Sequence, residues 1–301
     1  DAFAQDKIVS FVHPTEGHKF MSVTWGGMIG VASGMNDQGL TTTINAGASK
    51  IPLVAKTPVS LLTREILQYA SNLQEAIAIA KKRSVFVSES ILVGSAKDNK
   101  AIIIEVSPDN FGVYEVLNSD QLICTNHFQS AAYAKDKNNL KHIEESHSEY
   151  RYERLQELLG EQKKITPQVA VDILRNKEGL HDVPLGYGNE KALNQLISHH
   201  AIVFKPAKGL VWVSSNPYQL GEFVAYDLNE VFREAPDHPT KTLGVPDLTI
   251  EKDQFQYSKA YMADEEYKLV SAKILDAIKN KENQDTVVLN KLEQMTPKKG
   301  Q

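Results

Sequence analysis

Two asparagines, Asn45 and Asn126, each follow a run of β-branched and apolar residues, Leu40 to Ile44 and Gln121 to Thr125. A primary amide at a strand end has two readings. It can close the turn into the next loop, or its NH₂ group can donate to an oxyanion developing on a substrate. Ala46-Gly47, directly after Asn45, are small enough to let a substrate approach the backbone. His127 follows Asn126 and has the near-neutral pKa of a general base. Arg151 and Arg154 stand three apart in a segment of helical spacing, so one face carries both. A guanidinium there can hold a thiolate or an acidic group, or pair on the surface with Glu149 or Glu153.

Cys124 is the single cysteine of the 301 residues. With His127 it offers a different design, a thiol hydrolase. Against this, a buried structural cysteine is common. His199-His200, adjacent on an expected strand, should face opposite sides and so not share a metal ion. Gly26-Gly27 and Gly186-Tyr187-Gly188 lack the Lys-Ser/Thr of a phosphate loop.

The elements that position these residues alternate in blocks. Strands are expected over Lys7 to Val12, Phe20 to Trp25, Met28 to Ala32 and Leu40 to Asn45, with a hairpin turn in Gly34-Met35-Asn36-Asp37-Gln38-Gly39. Asn36 in that turn reads as structural. Thr57-Pro58 is a cap-plus-proline helix start, followed by Leu61, Leu62, Ile66 and Tyr69 at helical spacing. A second helix runs from about Leu73 to Lys82. A meander follows: Ser90 to Ala96, Ala101 to Val106, Phe111 to Val116 and Gln121 to Thr125. Helices return at Tyr150 to Leu159 and Thr166 to Asn176. Strands at His200 to Lys205, Leu210 to Ser215 and Phe223 to Asp227 close the body. This pattern is that of an α+β layered protein. Prolines 236, 239 and 246 then punctuate a connector to a Lys- and Glu-rich helical tail, so residues 1–234 read as one domain and 235–301 as a helical extension.

A net charge of -5 argues against a nucleic-acid partner, and no apolar run reaches the ~20 residues of a membrane span. The compartment stays open.

Three segments in order carry a family resemblance. They are Gly34 to Leu40 running into Thr43-Ile44-Asn45-Ala46, then Thr125-Asn126-His127-Phe128, then Tyr150-Arg151-Tyr152-Glu153-Arg154-Leu155. Together with Val211 to Ser214 and Gly221 to Val224, they resemble the isopenicillin-N acyltransferase-like branch of the choloylglycine hydrolase and penicillin V acylase superfamily. The likeness covers about Lys7 to Leu228.

The resemblance implies a four-layer αββα sandwich and an N-terminal-nucleophile enzyme. Its cysteine is exposed by processing, often autoproteolysis, and its own α-amine serves as the base. It implies cleavage or transfer at a linear, non-peptide amide, with a small acyl-amide as partner and no metal or organic cofactor. Asn45 and Asn126 would stabilise the oxyanion, and Arg151 would orient the sulfur or substrate. His127, Phe128 and Ala46 would shape the substrate pocket. The family's leading cysteine, and the Arg-Asn-x-Asp about twenty residues after it, are not in these residues. The expectation is that they lie upstream of Asp1; a binding protein that kept the sandwich without catalysis is the alternative. Selectivity is expected in the loops 46–56 and 176–191, and the helical tail could serve a homo-oligomer contact.

Overall fold

The computed structural model describes residues 7–48, 56–233 and 242–279, with side chains as far as residue 275. Seven strands form one antiparallel sheet in sequence order: β1 (Lys7–Val12), β2 (Phe20–Trp25), β3 (Ser33–Asn36), β4 (Leu40–Ala46), β5 (Glu89–Ser95), β6 (Lys100–Val106) and β7 (Phe111–Tyr114). A second antiparallel sheet has the order β10 (Phe223–Asp227), β9 (Leu210–Ser214), β8 (Ile202–Lys205).

Strand alternation sorts the apolar residues into layers. One face of the large sheet, with Leu40, Ile91, Val93 and Ile104, packs on α1 (Val59–Tyr69) and α2 (Leu73–Lys81) through Leu62, Ile66, Ala76 and Ala80. The other face presents Met21, Val23 and Met35 to Val211 and Val213 of β9. The far side of the small sheet packs Trp212, Phe223 and Ala225 on Val171 of α5 (Pro167–Leu174). The layers therefore run helix, sheet, sheet, helix: an αββα sandwich.

The turn between β3 and β4 is fixed by one side chain. Asn36 is buried; its Nδ2 donates to the carbonyls of Leu67 and Ala70, and its Oδ1 accepts from the backbone of Gln38 and Leu40. Gly39 takes φ +71°, which glycine adopts without Cβ strain.

Several local expectations are corrected. Met28 to Ala32 is not a strand, because Val31 N–H bonds to Ser60 of α1 instead of a neighbouring strand; the strand begins at Ser33. Thr57 does not cap α1 with its hydroxyl, since its backbone is engaged with Ser84 and Phe86 in a bridge to Val85. Gln121 to Thr125 is irregular, because the Ile123 and Cys124 carbonyls accept side-chain amides from Gln129 and Asn45. A helix absent from the sequence reading, α3 (Lys137–Glu145), is capped by Asp136, which accepts from Asn139 N–H. α4 (Ser148–Gly160) follows it, and Thr166 caps α5 through its hydroxyl.

The chain divides into two compact units, Asp1–Glu251 and Lys252–Gln301. Within the first, Ile250 and Gly244 bridge to Phe223 and Tyr226 of β10, and Leu248 O accepts from the Trp212 indole. The second contains α6 (Lys259–Lys279). Among the described residues, no helix is long and apolar enough to cross a membrane.

Candidate active site

Asn45 lies at the end of β4, opposite Ser90 of β5. β4 and the neighbouring strands carry Asn45, Ser33 and Met35 on the face turned toward the small sheet, with Ile44 on the opposite face. The Asn45 Nδ2 reaches the Cys124 carbonyl at 3.5 Å, and the next carbonyl along β4, that of Ala46, accepts from Asn126 Nδ2 at 3.2 Å. The Asn126 segment is thus laid across the end of β4. Gly47 completes the crossing: a Cβ there would come within 2.7 Å of the Phe128 ring, so the backbone approaches as only glycine permits.

The segment from Thr125 to Ser130 has no ladder to satisfy its amides, and buried side chains do so instead. Ser148 Oγ accepts from Asn126 N–H at 2.8 Å. Asn139 of α3 accepts from Phe128 N–H and donates back to its carbonyl. Glu105 of β6, fully buried, accepts from Gln129 and Ser130 N–H. None of these three anchors carries a local sequence signal; each lies eleven or more residues from the amide it holds.

The two arginines of α4 diverge. Arg151 Nη2 donates to Asn126 Oδ1 at 2.8 Å and its Nη1 to the Glu190 carbonyl at 2.7 Å. Burial pulls its pKa below the usual arginine value, partly offset by Glu190. Arg154 is 1% exposed and is taken up by Glu157 and Asp182, with Asn176 nearby. Arg151 alone meets the asparagine. Because guanidinium has only donors, the contact also fixes the Asn126 amide: Oδ1 toward Arg151, NH₂ toward Ala46 and the open side.

That open side is a cavity of about 410 Å³, walled by Ala46, Gly47, Asn126, Arg151, Glu190 and Ile197 together with the C-terminal end of α3 and His147. Glu190 and His147 approach within 3.7 Å across its rim. A larger concavity of about 680 Å³ sits at the opposite end of β4, around Lys19, Asp37 and Lys208, and includes neither Asn126 nor Arg151.

Residues 3–217 match the family described as acyl-coenzyme A:6-aminopenicillanic acid acyl-transferase. The chain belongs to this family. A curated relative, an uncharacterized protein of Archaeoglobus fulgidus, is 30% identical over 105 residues, which is 34% of this chain. The match spans only 18% of that relative's length. Similar solved structures include an N-acylethanolamine-hydrolyzing acid amidase ortholog of Caenorhabditis elegans, at 17% identity and TM-score 0.45, covering 71% of this chain and 82% of that one. Penicillin V acylase of Agrobacterium tumefaciens has 12% identity and TM-score 0.48, covering 73% and 72%. A conjugated bile acid hydrolase of Clostridium perfringens, in its C2A form, has 13% identity and TM-score 0.46, covering 78% and 88%.

In this acyl-transferase family member the remaining sequence candidates lie behind the cavity wall. His127 is buried: its Nδ1 meets Ser148 Oγ at 2.9 Å and Thr125 Oγ1 at 3.2 Å, and its ring packs on Tyr152. Burial first, then His142 and Arg151, lower its pKa. Phe128 is likewise buried, stacked on Tyr133 with centroids 4.1 Å apart. Both support the Asn126 loop from beneath. The Cys124 thiol is pushed up to about 12 by burial and Glu105, against a hydrogen bond with Ser90, so it is not poised as a nucleophile.

His199 and His200 correct the expectation for adjacent strand residues. They precede β8, and their Nδ1 atoms meet at 2.8 Å; His200 Nε2 meets Ser33 Oγ at 2.9 Å. Among the described residues, no three His, Cys, Asp or Glu side chains group as metal ligands. Of the two expected selectivity loops, 176–191 brings Glu190 to the cavity, whereas residues 49–55 of the first lie outside the described residues.

Proposed function

We propose that this protein is an amide hydrolase or acyltransferase acting on linear, non-peptide C–N bonds. Its nucleophile is the thiol of an N-terminal cysteine carried upstream of Asp1. The hydrogen bond from Arg151 Nη2 to Asn126 Oδ1 supports the reading most directly. It turns one amide N–H of Asn126 onto Ala46 O and leaves the second directed at the cavity side.

The cysteine α-amine takes the thiol proton and the sulfur attacks the acyl carbon, moving the carbonyl π pair onto oxygen. That oxyanion accepts from Asn126 Nδ2, with Asn45 as the second amide donor. One such donor is worth about 3 kcal/mol of barrier because it is aligned before charge develops. The α-ammonium then returns the proton to the leaving nitrogen as the C–N bond breaks, leaving a thioester. Water or an amine releases the acyl group. Arg151, whose hydrogen bonds go to two neutral oxygens, holds Asn126 and supplies positive charge beside the sulfur.

The test uses the full natural protein and a panel of N-acyl-7-amino-4-methylcoumarins, with a thiol-directed chloromethyl ketone as trap. The reading expects turnover and a label on an N-terminal cysteine outside these 301 residues. No turnover with no label supports the binding-protein alternative, and a label on Cys124 supports the thiol-hydrolase design.

A further inference from the structure

Ser148 is fully buried at the first turn of α4, one helical turn before Arg151. The two residues hold the same asparagine from one helix. Ser148 Oγ accepts the Asn126 backbone N–H at 2.8 Å, and Arg151 Nη2 donates to its side-chain oxygen at 2.8 Å. A side chain gripped at only one end can still swing about its Cα–Cβ bond. Gripped at the backbone and the amide, it has one orientation.

The serine is itself held. Its hydroxyl faces Thr125 Oγ1 at 3.1 Å and His127 Nδ1 at 2.9 Å. With His127 neutral, one ring nitrogen is bare. The Ser148 proton goes to Thr125 Oγ1, so the serine oxygen accepts from Asn126 N–H and from the Nδ1–H tautomer of His127, whose bare nitrogen is then Nε2. Thr125, Asn126 and His127, consecutive in the chain, thus converge on one oxygen of another element.

We propose that Ser148 is the positioning residue of the oxyanion site: it sets the Asn126 backbone so that the amide fixed by Arg151 faces the reacting carbonyl. The assignment rests on the acyl-transfer reading above. Displacement of a catalytic group by about 1 Å costs on the order of 100-fold, while substrate binding through the rest of the cavity is retained.

The experiment compares wild type, Ser148→Ala, Asn126→Ala and the double variant in the full natural protein, on the best coumarin amide of the panel. Ser148→Ala should lose roughly 10- to 100-fold in kcat with KM within about 3-fold. The double variant should be no slower than Asn126→Ala, because the serine then has no amide to position. Asn36→Ala, in the β3–β4 turn outside this network, serves as the control for general loosening; it should lower Tm with kcat within about 3-fold. If Ser148→Ala is not recovered folded, Ser148→Cys, a weaker acceptor of similar shape, should reduce kcat at least ~3-fold at constant KM.

Undiminished kcat in folded Ser148→Ala or Ser148→Cys overturns the assignment while leaving the acyl-transfer reading in place. So does full additivity with Asn126→Ala. A wild type inert toward every amide overturns both.

Discussion

Asn126 Nδ2 donates to the Ala46 carbonyl at 3.2 Å, joining residues 80 positions apart. This bond keys the loop after Cys124 to the end of β4, where Asn45 Nδ2 meets the Cys124 carbonyl. The cavity side of the amide is thereby set by backbone from the large sheet, and its other side by α4.

Asn126→Ala should leave the fold intact and reduce kcat of the full protein by roughly 10² to 10³-fold, the usual cost of one oxyanion donor. Asn126→Asp should be at least as damaging, because its carboxylate would pair with Arg151 and offer no N–H. Steady-state kinetics on both variants, with circular dichroism for the fold, makes the comparison.

Arg151→Lys should behave as a kcat variant, falling by about 10- to 100-fold, because an ammonium cannot reach Asn126 Oδ1 and Glu190 O together. Arg154→Lys should instead act on stability, since Arg154 joins Glu157 and Asp182 as a buried group. A loss of kcat in Arg154→Lys at unchanged Tm would contradict this division.

Cys124→Ser should retain kcat within about 3-fold. With its pKa near 12, the native thiol is only ~10⁻⁴ thiolate at pH 8, so iodoacetamide should modify Cys124 slowly until urea unfolds the chain. The same shift has a stability sign. Above the ordinary thiol value of 9.0 the unfolded chain loses a proton that the folded one keeps, so stability declines as pH rises from about 9 toward 12. Peptide mapping of alkylated samples reads the first effect and urea titrations the second.

His200 is held neutral, its pKa lowered to about 3 by burial, His199 and Lys7. Above 6.5 both states are neutral and nothing is lost. As pH falls from 6.5 toward 3, the unfolded chain takes up a proton that the folded one refuses, so stability falls. At pH 4 the contribution is about 3 kcal/mol. His200→Gln should therefore show a smaller loss of urea stability between pH 7 and pH 4 than wild type. An equal loss in the two proteins would rule the histidine out.

Asn36→Ala should cost about 2 to 4 kcal/mol, because it strips partners from two carbonyls at the C-terminal end of α1 and two turn amides. Its effect should appear in Tm, with kcat of the surviving folded fraction little changed.

Much of the layered architecture was legible in the sequence, because it follows from local rules. β-branched alternation marked β1, β2, β4, β5 and β6, and Thr166-Pro167 marked the start of α5. The Asn-Asp-Gln-Gly turn was legible for the same reason: Asn36 Oδ1 accepts from Gln38 and Leu40, within four positions, although its Nδ2 reaches Leu67 and Ala70. What the sequence could not decide was where polar groups find distant partners. Gln121 to Thr125 has the composition of a strand, yet its carbonyls are taken by Asn45 and Gln129 and it runs irregularly. Arg151 and Arg154 are equivalent by helical spacing; Asp182, 28 residues on, captures one, and Asn126, 25 residues back, receives the other. Ser148, Asn139 and Glu105 have no motif at all. Local patterning determines which segments become strands and helices, whereas the unsatisfied backbone of a loop binds whatever donors and acceptors the packed layers bring to it.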